Sequence, residues 1–204
     1  MAVLVTGGAG YIGSHMVLRL CDAGEDVVVL DNLVTGFDWA IDPRATFVEG
    51  NAGDSSLVGE LIARQGIREV IHFAGSIVVP ESVADPLKYY ANNTAASRNL
   101  IEAAVAGGVK HMVFSSTAAV YGMTGLDPVA EETPLSPMSP YGRSKLMTEW
   151  MLADVAAAYP AFSYGALRYF NVAGADPAKR SGQSTPAATH LIKVTAQTAL
   201  GQRE

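Results

Sequence analysis

Cysteine is nearly absent: Cys21 stands alone among 204 residues, so no internal disulfide can form. Apolar runs are short. None could span a bilayer, and the N-terminus lacks the basic-then-apolar pattern of a secretory leader. Positive charge is scarce, with 14 Lys+Arg against 20 Asp+Glu and a net charge of −6. That balance argues against nucleic acid or an anionic membrane surface as the main partner. His15, His72 and His111 show no metal-ligand spacing, so no metal site is expected and packing is their expected role. Internal repeats and low-complexity tracts are missing too. These absences suit a reducing cytoplasm and a fold held by its core. Met1 is followed almost at once by a core strand, which reads as a native start.

The core material is ample, since 49% of the chain is apolar. The length suggests one domain with a short appendage. Apolar runs at 2–5, 27–30, 46–48, 70–74, 111–114 and 164–170 read as strands. Helical patterns stand between them. One runs to Gly24 and carries Cys21 inward; one is capped by Asp54; one is opened by Asp85-Pro86 and runs to Gly107; one is opened by Pro140. Gly122 to Pro140 is aperiodic and reads as a surface loop. This order predicts an α/β protein with a doubly wound parallel sheet, Rossmann-like. Ligands of such sheets bind at the C-terminal strand ends, where Gly7, Asp31, Ala74, Thr117 and Phe170 should converge.

The first strand runs into Gly7-Gly8-Ala9-Gly10-Tyr11-Ile12-Gly13. Two registers of a dinucleotide fingerprint fit, one from Gly8 and a wider one from Gly7. In either, missing Cβ atoms let the backbone approach a pyrophosphate at a helix N-terminus. Asp31 closes the second strand at the place of the acid that bonds a ribose. A carboxylate there repels a 2′-phosphate, so NAD rather than NADP is expected. An aspartate capping a turn is the plainer reading of the same residue.

Tyr141 and Lys145 lie four residues apart in a predicted helix, which stacks phenol and ammonium on one face. A free phenol titrates near about 10, and a fixed cation nearby favours the phenolate. The pair therefore reads as a proton-transfer device. Arg168, after a core strand, reads as an ion-pair partner. Ser115 and Ser116 read as groups satisfying the backbone, and Tyr89 and Tyr90 as packing or interface residues.

Several segments in order resemble the extended short-chain dehydrogenase/reductase family, and within it the UDP-glucose 4-epimerases. They are Val5 to His15, Leu30 to Leu33, His72 to Gly75, Ser115 to Gly122, Pro140 to Lys145 and Leu167 to Asn171. The resemblance implies Tyr141 as catalytic base, Lys145 as the lysine that bonds the nicotinamide ribose, and Thr117 as a contact to the sugar 4-hydroxyl. It implies a cofactor site of Gly7, Gly10, Tyr11, Ile12 and Gly13 at the pyrophosphate. Asp31, Asn32, Thr35 and Gly36 would surround the adenosine ribose, with Asn51 and Ala52 beside the adenine. Phe73, Ala74, Gly75, Asn92, Lys145 and Phe170 would face the nicotinamide half. Asn171, His190 and Leu191 would join Thr117 and Tyr141 at the UDP-sugar. Relatives form homodimers through the helices from Pro86 and Tyr141, so a homodimer is implied.

Some positions depart from the family. Ile77 replaces a lysine of some members, His190 an asparagine, and Ala96 a glycine. Members usually continue well past this endpoint. Residues 1–175 thus read as the NAD-binding domain, and 176–204 as the incomplete start of a substrate-binding region in a C-terminally truncated chain. The implied reaction is NAD-dependent epimerisation at C4 of a UDP-hexose through a 4-keto sugar. Two alternatives are a 4,6-dehydratase and a non-catalytic NAD-binding remnant. The dehydratase is disfavoured because Ala118 and Ala119 follow Thr117 where its relatives carry an Asp-Glu pair.

Overall fold

The structure is a computed structural model that describes residues 2–125, 128–186 and 189–203. Strands β1 (Ala2–Thr6), β2 (Asp26–Asp31), β3 (Thr46–Glu49), β4 (Glu69–His72), β5 (His111–Ser115) and β6 (Ser163–Leu167) form one sheet. Its order is β3-β2-β1-β4-β5-β6, with every pair parallel. The helices are α1 (Tyr11–Asp22), α2 (Ser55–Gln65), α3 (Val79–Ala84), α4 (Pro86–Tyr89), α5 (Ala96–Ala106), α6 (Pro140–Ala158) and α7 (Leu191–Ala199). The strand order reverses between β1 and β4, so a crevice opens at their C-terminal ends.

Strand periodicity explains the two-sided core. Leu4, Val28, Leu30, Met112 and Phe114 point to one face, where α2, α5 and α6 bring Val58, Ile62, Leu100 and Leu152. Val3, Val5, Val27 and Val29 point to the other face, against Val17 and Cys21 of α1. Both faces are covered, which is why these strands read as continuous apolar runs. Local signals place the helix ends. The Asp54 carboxylate accepts from Ser56 and Leu57 N–H at the start of α2, and Gly66 ends that helix at φ +63°. Ser139 accepts from Gly142 N–H at 3.1 Å, and Pro140 starts α6 without losing a bond.

Three elements differ from the sequence reading. The helix from Pro86 is interrupted by a π-helical turn over Tyr90–Ala95. That widened turn carries Asn92 and Asn93, whose side chains reach across to Ser76. Helix α3 was not foreseen; the apolar run Ile77-Val78-Val79 followed by Pro80 hides a helix in which proline occupies the tolerated first turn. Strand β6 ends at Leu167, short of Phe170. Helix α7 buries no residue, and Leu191 and Leu200 are exposed. No helix among the described residues is long and apolar enough to cross a membrane.

Leu100 is fully buried between α2 and the sheet, whereas Leu87 is 76% exposed. Leu100→Ala should cost about 2–5 kcal/mol in urea unfolding, and Leu87→Ala no more than about 0.5 kcal/mol.

Candidate active site

The glycine turn is a cradle that side chains would fill. A Cβ on Gly13 would sit 2.1 Å from the Gly7 carbonyl oxygen, and one on Gly7, at φ +72°, would sit 2.5 Å from Ala74 N. Tight contact between the turn and the end of β4 is thus possible only without those methyls. Gly10 precedes α1, which has no side-chain cap, so the N–H groups of Tyr11, Ile12 and Gly13 face outward with the positive end of the helix dipole.

Asp31 is buried at the end of β2 and does the capping job: Oδ2 accepts from Ala9 N–H at 3.0 Å and Oδ1 from Leu33 N–H at 2.9 Å. Each oxygen keeps a lone pair for a further donor. Leu33 turns the chain at φ +56°. Asn32, whose Oδ1 accepts from Val34 N–H, and Thr35 follow at the surface. Gly36 packs on Ala9, and Phe37 N–H donates to the Ala9 carbonyl, so this loop borders the glycine turn. Asn51 is exposed beyond β3 and folds back on Gly53 N–H, with Ala52 buried beside it.

Beyond β4, Phe73 and Ala74 N–H groups both donate to the Thr6 carbonyl, which draws Ala74 to the glycine turn. A Cβ on Gly75 would lie 3.0 Å from Asn93 Oδ1 and 3.4 Å from Lys145 Nζ. Asn92 is exposed and donates to Ser76 Oγ at 2.9 Å. Its buried neighbour Asn93 opens the Asn93–Ala96 stretch in which the resemblance expects a final glycine, and the resemblance gives it no ligand role. Its Oδ1 accepts from Ser76 N–H at 2.7 Å, and its Nδ2 donates to the Ser76 carbonyl and to Ser144 Oγ on α6. Two asparagines inside a helical pattern, where their propensity is poor, were the available signal.

Lys145 is 2% exposed. Its Nζ donates to the Ser115 carbonyl at 3.0 Å and lies 5.0 Å from the Phe114 ring centroid. Burial pushes it down to about 8. Behind Phe114, His72 bonds Thr6 and Ser97 through its two ring nitrogens; burial, with the Lys145 ammonium nearby, pushes it down to about 3. His72 is therefore a neutral core residue.

The Tyr141 phenol departs from the sequence expectation. Burial raises it above its ordinary value, and the Thr117 hydroxyl beside it pulls it back down. Lys145, pushed down to about 8, sheds its proton before the phenol does, and its Nζ is held by the Ser115 carbonyl. Thr117 accepts from Ala119 N–H at 3.2 Å, which leaves its own proton free to donate toward Tyr141. The Tyr89 ring meets Tyr141 edge-on, with centroids 6.4 Å apart.

Thr117, Tyr141 and Lys145 therefore come together at the sheet's switch-point edge, beside Gly75. Phe170 is 76% exposed and Asn171 is exposed as well. His190 bonds Gln183 at 2.8 Å, and Leu191 is 77% exposed on α7. Among the described residues, no hydrogen bond joins Asn171, His190 or Leu191 to Thr117 or Tyr141.

Fold and cluster together define a Rossmann-type α/β protein with a threonine–tyrosine–lysine site at the C-terminal edge of its sheet. Residues 3–202 match the NAD dependent epimerase/dehydratase family. The chain belongs to that family. A UDP-glucose 4-epimerase of Azospirillum brasilense is 55% identical over 201 residues, covering 98% of this chain and 58% of the relative. One from Lacticaseibacillus casei is 47% identical over 203 residues, covering 100% and 61%. The solved UDP-glucose 4-epimerase from Brucella ovis in complex with NAD has a TM-score of 0.94 at 43% identity, over 98% of this chain and 61% of that one. The Bifidobacterium longum enzyme in complex with NAD+ and UDP has a TM-score of 0.93 at 36% identity, over 100% and 64%. The chain thus spans about three fifths of the length of these relatives.

Lys145 titrates ordinarily at 10.5 and here at about 8, so between those values the unfolded chain binds more protons than the folded one. Stability gains a component that rises with pH across that window and is lost as pH falls through 8. In urea unfolding, the stability of the native protein relative to Lys145→Met should rise between pH 8 and pH 10; a flat difference would contradict a buried ammonium.

Proposed function

We propose that this chain carries NAD-dependent C4 epimerase chemistry on a UDP-hexose, interconverting UDP-glucose and UDP-galactose. One observation carries the reading: the Thr117 hydroxyl stands beside the Tyr141 phenol, next to buried Lys145, and only the methyl side chains of Ala118 and Ala119 follow Thr117. A dehydratase would need a proton donor at that place. The printed names of the relatives support the same reading, and their greater length makes it a proposal for this chain.

The residues fit NAD, because the Gly7–Gly13 cradle is closed to side chains and open to a pyrophosphate. Gly7, Gly10, Tyr11, Ile12 and Gly13 would hold that group. Asp31, Asn32, Thr35 and Gly36 would hold the adenosine ribose, and Asn51 and Ala52 the adenine. Phe73, Ala74, Gly75, Asn92, Lys145 and Phe170 would hold the nicotinamide half. NAD supplies reversible hydride transfer at the sugar C4, through a 4-keto sugar. Tyr141 takes the 4-hydroxyl proton, directly or through Thr117, and returns it. Thr117 donates to the phenolate and lowers the cost of forming it. Lys145 orients the nicotinamide ribose, while its bond to the Ser115 carbonyl keeps α6 on β5. Asn171, His190 and Leu191 take the UDP moiety.

Residues 1–175 serve as the NAD-binding domain, and residues 176–204 begin the substrate-binding region. The protein works in the cytoplasm as a homodimer. Its dimer face is the apolar concavity of about 510 Å³ between the π-helical turn, α5 and α6, lined by Tyr90, Thr94, Ala95, Arg98, Met147 and Met151.

Incubated with UDP-galactose and NAD+, the chain should form UDP-glucose or show NAD reduction; NAD binding with neither would mark a non-catalytic remnant. Tyr141→Phe should lower turnover by about 10² or more, and unchanged turnover would sink the assignment. Met147→Arg should convert the dimer to a monomer in sedimentation, and an unaltered sedimentation profile would remove this face as the interface.

A further inference from the structure

One buried charge cluster has no part in the proposed chemistry. Glu149 lies four residues after Lys145 and eight after Tyr141, on the same face of α6, and is 5% exposed. Its Oε1 accepts from the Ser116 hydroxyl, one residue before Thr117. Arg168 forks onto it: Nε lies 3.1 Å from Oε1 and 3.0 Å from Oε2, and Nη2 2.6 Å from Oε2. Arg168 Nη1 donates to the Tyr121 hydroxyl at 3.0 Å and to the Glu131 carbonyl at 3.2 Å. The guanidinium carbon lies 5.2 Å from the centroid of the Tyr121 ring.

These bonds grip both ends of one short turn. Thr117 opens the 3-10 turn Ala118–Val120, and Tyr121 closes it by donating its N–H to the Ala118 carbonyl. Ser116 ties the front of the turn to Glu149, and Tyr121 ties the back to Arg168. The root of the clamp is α6, which also carries Tyr141 and Lys145. A buried ion pair adds little net stability, but its forked geometry restricts what it holds.

We propose that the Glu149–Arg168 pair is a positioning device that sets the Thr117 hydroxyl against Tyr141. It rests on the roles proposed for Thr117 and Tyr141, but its test reads a phenol titration and needs no turnover. Other titratable groups facing Tyr141 are Lys145 on α6, Tyr89 on α4 and Tyr169 beyond β6.

The direction of the shift separates positioning from a direct field. Glu149→Gln leaves Arg168 unpaired, and a bare cation would move the phenol downward. Displacing the Thr117 hydroxyl from beside it would move it upward. Ser116→Ala breaks the clamp with no change of charge. Tyrosine labelled with 13C at Cζ reports each phenol by NMR across its whole titration, and Tyr141→Phe assigns the signal. We expect Glu149→Gln and Ser116→Ala each to raise the Tyr141 titration by about one pH unit, the scale of one hydrogen bond to a phenolate. In a Thr117→Val background neither should move it further. If Glu149→Gln does not fold, Ser116→Ala decides alone. An unmoved titration, a downward shift, or the same upward shift in the Thr117→Val background would overturn the proposal.

Discussion

An ammonium group with almost no access to water organises this site. Lys145 is 2% exposed, and its Nζ is held by the Ser115 carbonyl and the face of Phe114. A charge in that position is tolerated only where a fixed acceptor and a π face replace part of its hydration. The acceptor lies at the last residue of β5, so the bond fixes α6 against the C-terminal edge of the sheet. At Gly75, φ +155° and the approach of Asn93 Oδ1, 3.0 Å from an added Cβ, explain why the chain after β4 has no side chain there.

Around that ammonium the polar groups are matched to one another. Asn93 joins Ser76 to Ser144, and His72 joins Thr6 to Ser97. His72 thereby ties β4 to β1 and α5, and Asn93 ties the π-helical turn to the segment after β4 and to α6. Buried polar groups gain little net energy from such bonds but lose much if unpaired, so they select one arrangement over its near neighbours. The π-helical turn fits this view, since it brings both asparagines to Ser76.

Much of the fold was legible because it rests on local rules. Apolar runs named five of the strands closely, Asp54, Pro86 and Pro140 marked helix starts, and the glycines marked the turn before α1. Helix α3 was not legible in an apolar run followed by proline, and the π-helical turn was not because its asparagines answer to Ser76 across a gap in space. The site was legible as a set of residues rather than as an electrostatic arrangement. Spacing put Tyr141 and Lys145 on one face, and it correctly allowed that Arg168 pairs with an acid. It could not show that the ammonium turns toward Ser115, that burial raises the phenol, or that Thr117 does the lowering. The resemblance points to Asn92 as a ribose contact and to Asn93 only as part of a helical pattern; the burial that separates the two is not readable from spacing.

By itself, the sequence determined the parallel doubly wound sheet, the glycine cradle with Asp31 across from it, and the placing of Tyr141 and Lys145 on one helical face. Those follow from periodicity, from missing Cβ atoms and from residue chemistry, all of which act within a few residues along the chain. Only the tertiary structure decided how the group is wired: which carbonyl holds Lys145, which hydroxyl faces Tyr141, and how Glu149 and Arg168 grip the turn between them. Hydrogen-bond direction and desolvation depend on what lies across a gap in space, and residues far apart in sequence supply it.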